Sequence, residues 1–175
     1  MPTPPRPDEY APFYAGYVAR VEGDLFDTLE AQPGALAALL DGADPDHAYA
    51  PGKWTVRQVV QHTLDAERVF AYRALRFARG DDTPLPGFEE NAWAENDPGQ
   101  PLDALVAEAR AVRAATLALL RAFPEEAWDR RGVASGHPMS VRALAYVIAG
   151  HTAHHMAVLR ERYLDRAQAT PRSSP

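Results

Sequence analysis

The segment Ala149–His155, written AGHTAHH, holds three of the chain's six histidines within five positions. The sequence has no cysteine, so it offers neither a thiolate ligand nor a nucleophilic thiol. Metal chemistry here must rest on His, Asp and Glu. Helical phase separates the three histidines. His151 and His155 are spaced i, i+4 and share one face, so both rings can converge on a single ion. His154 lies about 100° round a helix from His155, at about 3.6 residues per turn, which puts it on the flank. A third ring is available at His62, in QVVQHTLDAE, on the inward stripe Val59, His62, Ala66 and Val69/Phe70. Three neutral imidazoles leave a tetrahedral or octahedral ion with open positions, as catalytic sites do. Such an ion, zinc or nickel above all, lowers the pKa of a coordinated water or thiol. The same spacing also serves neutral imidazoles hydrogen-bonded within a core. The residues alone leave that alternative open.

Asp65 and Glu67 follow His62 closely and could accept a ligand's second N–H or relay a proton. A solvated helix face would carry the same residues. His47 and His137 lie beside proline and glycine, have no partner at ligand spacing, and are expected at the surface. Ser140 and Thr55 read as helix caps, not nucleophiles. The sequence has no Ser-His-Asp arrangement, phosphate-cradling glycine loop or dinucleotide fingerprint.

The elements that must carry these residues are helical. The first segment starts near Asp24, and Leu25, Leu29, Leu36, Leu39 and Leu40 keep one stripe in phase across Pro33-Gly34. That phase predicts one kinked helix, since proline removes a backbone bond and crowds the preceding turn. The second begins at Thr55, where Thr55-Val-Arg-Gln58 fits a capping box, and runs to about Phe77, with Gly80 as a stop. It bears a second apolar stripe, Val56, Val60, Leu64, Ala71 and Leu75. The third spans about Leu102 to Ala122, and the fourth runs from an N-cap at Ser140 to about Leu164. No alternating run of β-branched residues reads as a strand. Long loops between helices imply a bundle with at least one long crossover, TPLPGFEENAWAENDPGQP, anchored by Leu85, Phe88 and Trp93.

At 175 residues the chain is expected to form one domain over 10–165, able to bury its core without a staple. Residues 1–9 and 166–175 are rich in proline and serine and are expected to be unstructured tails. Proline interrupts the start where a signal peptide needs an apolar run, and no apolar stretch reaches membrane-span length. A cytoplasmic protein without membrane partners is expected. A net charge of −6, with Lys53 the only lysine, argues against a reader of phosphate backbones.

Several of these segments together resemble the DinB/YfiT-like metalloenzyme superfamily. Pro51-Gly52-Lys53-Trp54-Thr55-Val56-Arg57, then Gln61-His62 and Asp65-Ala66-Glu67-Arg68, are similar to its first signature. Phe70-Ala71-Tyr72-Arg73, Arg79-Gly80-Asp81 and Leu85-Pro86-Gly87-Phe88 follow the pattern of its second helix and crossover. Gly150-His151-Thr152-Ala153-His154-His155 is similar to its last-helix signature. The resemblance runs from about Tyr17 to Leu164. It implies an all-α four-helix bundle of up-down-down-up topology, with the long crossover between the second and third helices. It also implies a divalent ion held by His62, His151 and His155. Pro33 departs from a plain long first helix.

For activity, the resemblance implies a thiol S-transferase in which a low-molecular-weight thiol attacks a small electrophilic substrate. A metal-dependent hydrolase and a non-catalytic metal-binding stress protein are the alternatives, the last with His154 as a possible fourth ligand. A homodimer is a further expectation.

Overall fold

Four long helices frame the computed structural model, which describes residues 2–164. In chain order the helices are α1 (Ala15–Val18), α2 (Leu25–Leu39), α3 (Val56–Ala78), α4 (Glu90–Glu95), α5 (Leu102–Arg121) and α6 (Val141–Val158). A hairpin of β1 (Arg131–Ala134) and β2 (His137–Ser140) precedes α6. A wider π-type turn, Leu159–Leu164, closes α6.

The long helices start where their side chains satisfy free N–H groups. Asp24 accepts from Phe26 and Asp27 N–H. Thr55 and Gln58 cap each other's backbone, and Ser140 Oγ accepts from Ala143 N–H. Each such cap is worth about 1 kcal/mol.

Helix α2 continues through Pro33 without a break. Proline deprives the carbonyl four residues earlier, that of Leu29, of its helical donor. Arg113 Nη1 supplies a replacement at 2.7 Å. The same guanidinium donates to both carboxylate oxygens of Glu67 at 2.8 Å, to Gln32 Oε1 at 2.7 Å and to Thr152 Oγ1 at 3.3 Å. Gln32 in turn donates to Ala149 O at 2.7 Å. One buried arginine therefore ties together α2, α3, α5 and α6.

The apolar residues separate into two clusters, and their membership fixes the helix directions. One cluster joins Leu25 and Leu29 from the start of α2, Phe70 and Phe77 from the end of α3, Leu120 from the end of α5 and Leu144 from the start of α6. The other joins Leu36, Val56, Val60, Leu105 and Met156, from the opposite end of each. Helices α3 and α5 thus run one way and α2 and α6 the other, which is the up-down-down-up order. Parallel neighbours such as α3 and α5 cannot be joined by a tight turn, and residues 79–101 form the crossover between them.

The crossover is fastened at both ends. Leu85 exchanges backbone bonds with Val133 and Ser135, and buried Arg73 donates to Pro86 O at 2.8 Å. Farther on, Gln58 donates to Ala94 O at 2.8 Å, and Arg57 to Gly99 O at 2.6 Å. Leu85 is an anchor as expected, whereas Trp93 stacks on Phe88 and stays 44% exposed. Ala94 takes the buried place instead.

Three expectations need correction. Arg131–Ser140 is a β-hairpin, not loop. Ser135 (φ 53°) and Gly136 (φ 79°) both adopt the left-handed conformation that a two-residue hairpin turn requires. Residues 2–9 are not a free tail. They include a 3-10 turn, Pro7–Glu9, and buried Glu9 accepts a 2.7 Å bond from Ser140 Oγ. Lastly, α6 has no single core stripe. It is buried almost all round from Val141 to Thr152, because α1 and β2 cover the faces that α2 and α3 leave open. The expected tail 166–175 lies outside the described residues.

Candidate metal centre

Between the two apolar clusters, α3 and α6 bring three rings together. His151 Nε2 lies 3.1 Å from His62 Nε2 and 3.1 Å from His155 Nε2. One ligand atom from each of the three lies within 4.8 Å of the others. With Zn–N bonds of about 2.0–2.1 Å, nitrogens on a tetrahedral ion are roughly 3.3–3.4 Å apart, and on an octahedral one about 3.0 Å. The observed separations suit such a donor set. They suit a hydrogen-bonded cluster less well, because one ring nitrogen offers either one N–H or one lone pair. His151 Nε2 faces two neighbours and can satisfy only one.

Burial keeps the rings uncharged. It pushes His62 down to about 4. His155 falls to about 3 through burial, then the nearness of His62 and His154. His151 is held well below the usual histidine range, by burial first and by its histidine neighbours second. Neutral imidazoles are the form that ligates a metal.

Close backbone packing positions α6. A Cβ on Gly150 would come within 1.9 Å of Tyr17 O, so only glycine lets α1 cross α6 here. That crossing sets the Tyr17 ring edge-on to His151 at 5.3 Å and beside His154 at 5.2 Å. Phe70 stands edge-on to His151 at 5.8 Å, and Trp54 lies 4.9 Å from the His62 ring. The fastened crossover brings α4 over the site, with Glu90 Oε2 4.0 Å from His62 Nε2.

His62, His151 and His155 are thus brought together, as their helical phase predicts. His154 stays outside the trio, half-buried against Tyr17 and His155. Asp65 and Glu67 do not serve the rings. Asp65 accepts from Gln61 at 3.0 Å, and Glu67 is buried in its pair with Arg113. His137 is exposed, and His47 is half-buried beside Tyr163. Sequence reasoning missed Glu90 and Tyr17. Neither has ligand spacing, and both arrive through segments whose course is set by tertiary contacts. The Gly150-His151 pair was the available clue to close backbone approach.

Fold and site together define a helical-bundle protein with a three-histidine centre suited to a divalent ion. The family model of the DinB superfamily matches residues 26–159, and the chain belongs to that family. It is 32% identical over 144 residues to a "Putative metal-dependent hydrolase" of Geobacillus thermodenitrificans, covering 74% of this chain and 79% of the relative. A protein of the same description from Oceanobacillus iheyensis is 26% identical over 124 residues, covering 69% and 71%. The structure of YfiT from Bacillus subtilis, described as a probable metal-dependent hydrolase with an unusual four-helix bundle topology, superposes with a TM-score of 0.73. It covers 94% of this chain and 92% of its own at 22% identity, a likeness of fold.

Proposed function

We propose that this protein is a metal-dependent enzyme that activates a nucleophile supplied from outside, a low-molecular-weight thiol, whose sulfur bonds to a small electrophile as the electrophile's leaving group departs with the electron pair of the broken bond. The observation that carries this reading is the convergence of three neutral imidazoles from α3 and α6, with no fourth protein ligand among the described residues. His62, His151 and His155 would hold a divalent ion, zinc or nickel being among those that imidazole donors suit. When bound, that ion supplies Lewis acidity, which lowers the pKa of a coordinated thiol or water. The chain's own residues do the rest. Trp54 packs on the His62 ring and Phe70 and Tyr17 on the His151 ring, and that burial favours the neutral form. Glu90 Oε2, 4.0 Å from His62 Nε2, is placed to accept the proton that the nucleophile sheds. The chain provides no thiol of its own, having no cysteine.

Hydrolysis, with water in place of the thiol, is the second reading. One observation favours it, the hydrolase names that the relatives carry; Glu90 would accept a proton from water as it would from a thiol. One assay separates the two. Zinc-loaded and nickel-loaded protein is given a small alkyl halide with and without a panel of thiols, and a panel of small esters and amides. Thiol-dependent consumption of the halide, lost in His62→Ala, supports the first reading. Thiol-independent cleavage, lost in the same variant, supports the second. No rate above background with either set contradicts both.

A further inference from the structure

A pocket of about 390 Å³ opens against His155, on the side of the centre bounded by Trp54 and the end of α6. Its walls include Tyr49 and Tyr163, whose rings meet edge to face at 5.0 Å. Tyr163 OH donates to Trp54 O at 2.9 Å, so the aromatic wall and the loop carrying Lys53 are joined. Among the described residues, the charged side chains lining the pocket are Lys53 and Arg162, both cations. Arg162 lies over the Tyr49 ring at 5.6 Å and donates to its hydroxyl at 3.4 Å, which directs the guanidinium along the pocket wall. Among the described residues Lys53 makes no ion pair. In a chain of net charge −6 whose only lysine is Lys53, two cations over one pocket stand against the charge of the whole.

We infer that this pocket is the binding site for a carboxylate-bearing part of the molecule that enters the centre, with Lys53 and Arg162 as its charge partners and the Trp54–Tyr49–Tyr163 wall as its apolar support. The inference rests on the proposed thiol chemistry only in calling that molecule a thiol. The pocket's preference for a carboxylate stands or falls on its own. Lys53 and Arg162 are both exposed, so each charge pair contributes up to about 1 kcal/mol, and the two together about tenfold in affinity. Lys53 is exposed, so the preference should shrink as salt screens it.

Matched pairs of small thiols test this directly, with binding to zinc-loaded protein followed by calorimetry. The pairs are 3-mercaptopropionate against 3-mercaptopropanol and 6-mercaptohexanoate against 6-mercaptohexanol, with hexanoate against hexanol as the thiol-free arm. The expected result is that at one chain length the acid binds about tenfold more tightly than its alcohol. Lys53→Glu should abolish that preference and Lys53→Gln reduce it, with zinc content and the affinity for the alcohol unchanged. Equal binding of acid and alcohol at both lengths overturns the inference, as does an acid preference that survives Lys53→Glu. If hexanoate binds in a Lys53-dependent way while no thiol is transferred, the anion pocket stands and the thiol-transfer reading falls. If thiols are transferred without regard to charge, that reading stands and the pocket assignment falls.

Discussion

At neutral pH each of the three converging imidazoles is uncharged, and this has a consequence for stability without metal. Their pKa values are depressed in the folded chain, to about 4 for His62 and about 3 for His155, against about 6.5 in an unfolded one. Between these values the unfolded chain binds more protons than the folded chain, so stability rises with pH. The contribution is fully present above about 6.5 and is lost as pH falls through the folded values. The urea midpoint of metal-free protein should therefore drop between pH 6.5 and 4, and His62→Asn should flatten that dependence. A midpoint independent of pH in that window would contradict the burial argument. Glu90 offers a separate test. Glu90→Gln keeps the shape and removes the proton acceptor, and should lower turnover by about 10²- to 10⁴-fold with metal content unchanged. The three histidines were legible in the sequence because each sits on a regular helix whose period assigns its face. Glu90 was not legible, because it comes from a six-residue helix in the crossover, held over His62 by Arg73, Gln58 and Arg57 and not by any periodic pattern. Glu67, read as either a partner of the rings or part of a solvated face, is neither: helical phase shows which face a side chain takes but not which partner claims it, and Arg113 claims Glu67 in the interior.

Among the elements, α2 and the hairpin show opposite limits of reading from sequence. The unbroken stripe Leu25, Leu29, Leu36, Leu40 was right that Pro33 does not end the helix. What no local pattern revealed was the donor that makes Pro33 tolerable, the guanidinium of Arg113 from eighty residues downstream. Removing Arg113 should be costly, because Arg113→Ala strands the Glu67 carboxylate in the interior and leaves Leu29 O without a donor. The expected loss is about 3–5 kcal/mol, measured by chemical denaturation. Arg113→Met with Glu67→Leu, which removes both charges and keeps the volume, should recover much of it. A double variant as unstable as the single one would show that the pair stabilises the fold and is not merely compensated. The hairpin failed differently. Its strands contain only one β-branched residue outside their ends, Val133, together with Gly132 and Pro138, so no alternation was visible. The turn residues Ser135-Gly136 were the signal present, since a Ser-Gly pair marks a turn.

The whole molecule is arranged as two apolar clusters with a polar layer between them, and that layer contains both the Arg113 network and the histidine trio. The opposite running of α2 and α6 against α3 and α5 is what places His62 level with His151 despite 89 residues of separation. The N-terminal residues complete the enclosure. The segment before α2 crosses α6 at Gly150 and brings Tyr17 onto the rings, while Glu9 accepts from the Ser140 hydroxyl that also caps α6. Composition gave no hint of this, since a proline-rich start reads as a tail until a buried acid such as Glu9 finds its partner. Gly150→Ala should force α1 away from α6 and destabilise the fold by about 1–3 kcal/mol. It should also raise the exposure of Tyr17, seen as increased tyrosine accessibility to solvent perturbation. An unchanged denaturation midpoint in Gly150→Ala would contradict the close crossing.

The central claim is that His62, His151 and His155, and not His154, hold one divalent ion. Elemental analysis of purified untagged protein tests it most directly, with wild type beside His62→Ala, His155→Ala and His154→Ala. The account predicts about one equivalent of zinc or nickel in the wild type and in His154→Ala, and its loss in the other two. A wild type without stoichiometric metal, or metal retained in His155→Ala and lost in His154→Ala, would contradict it.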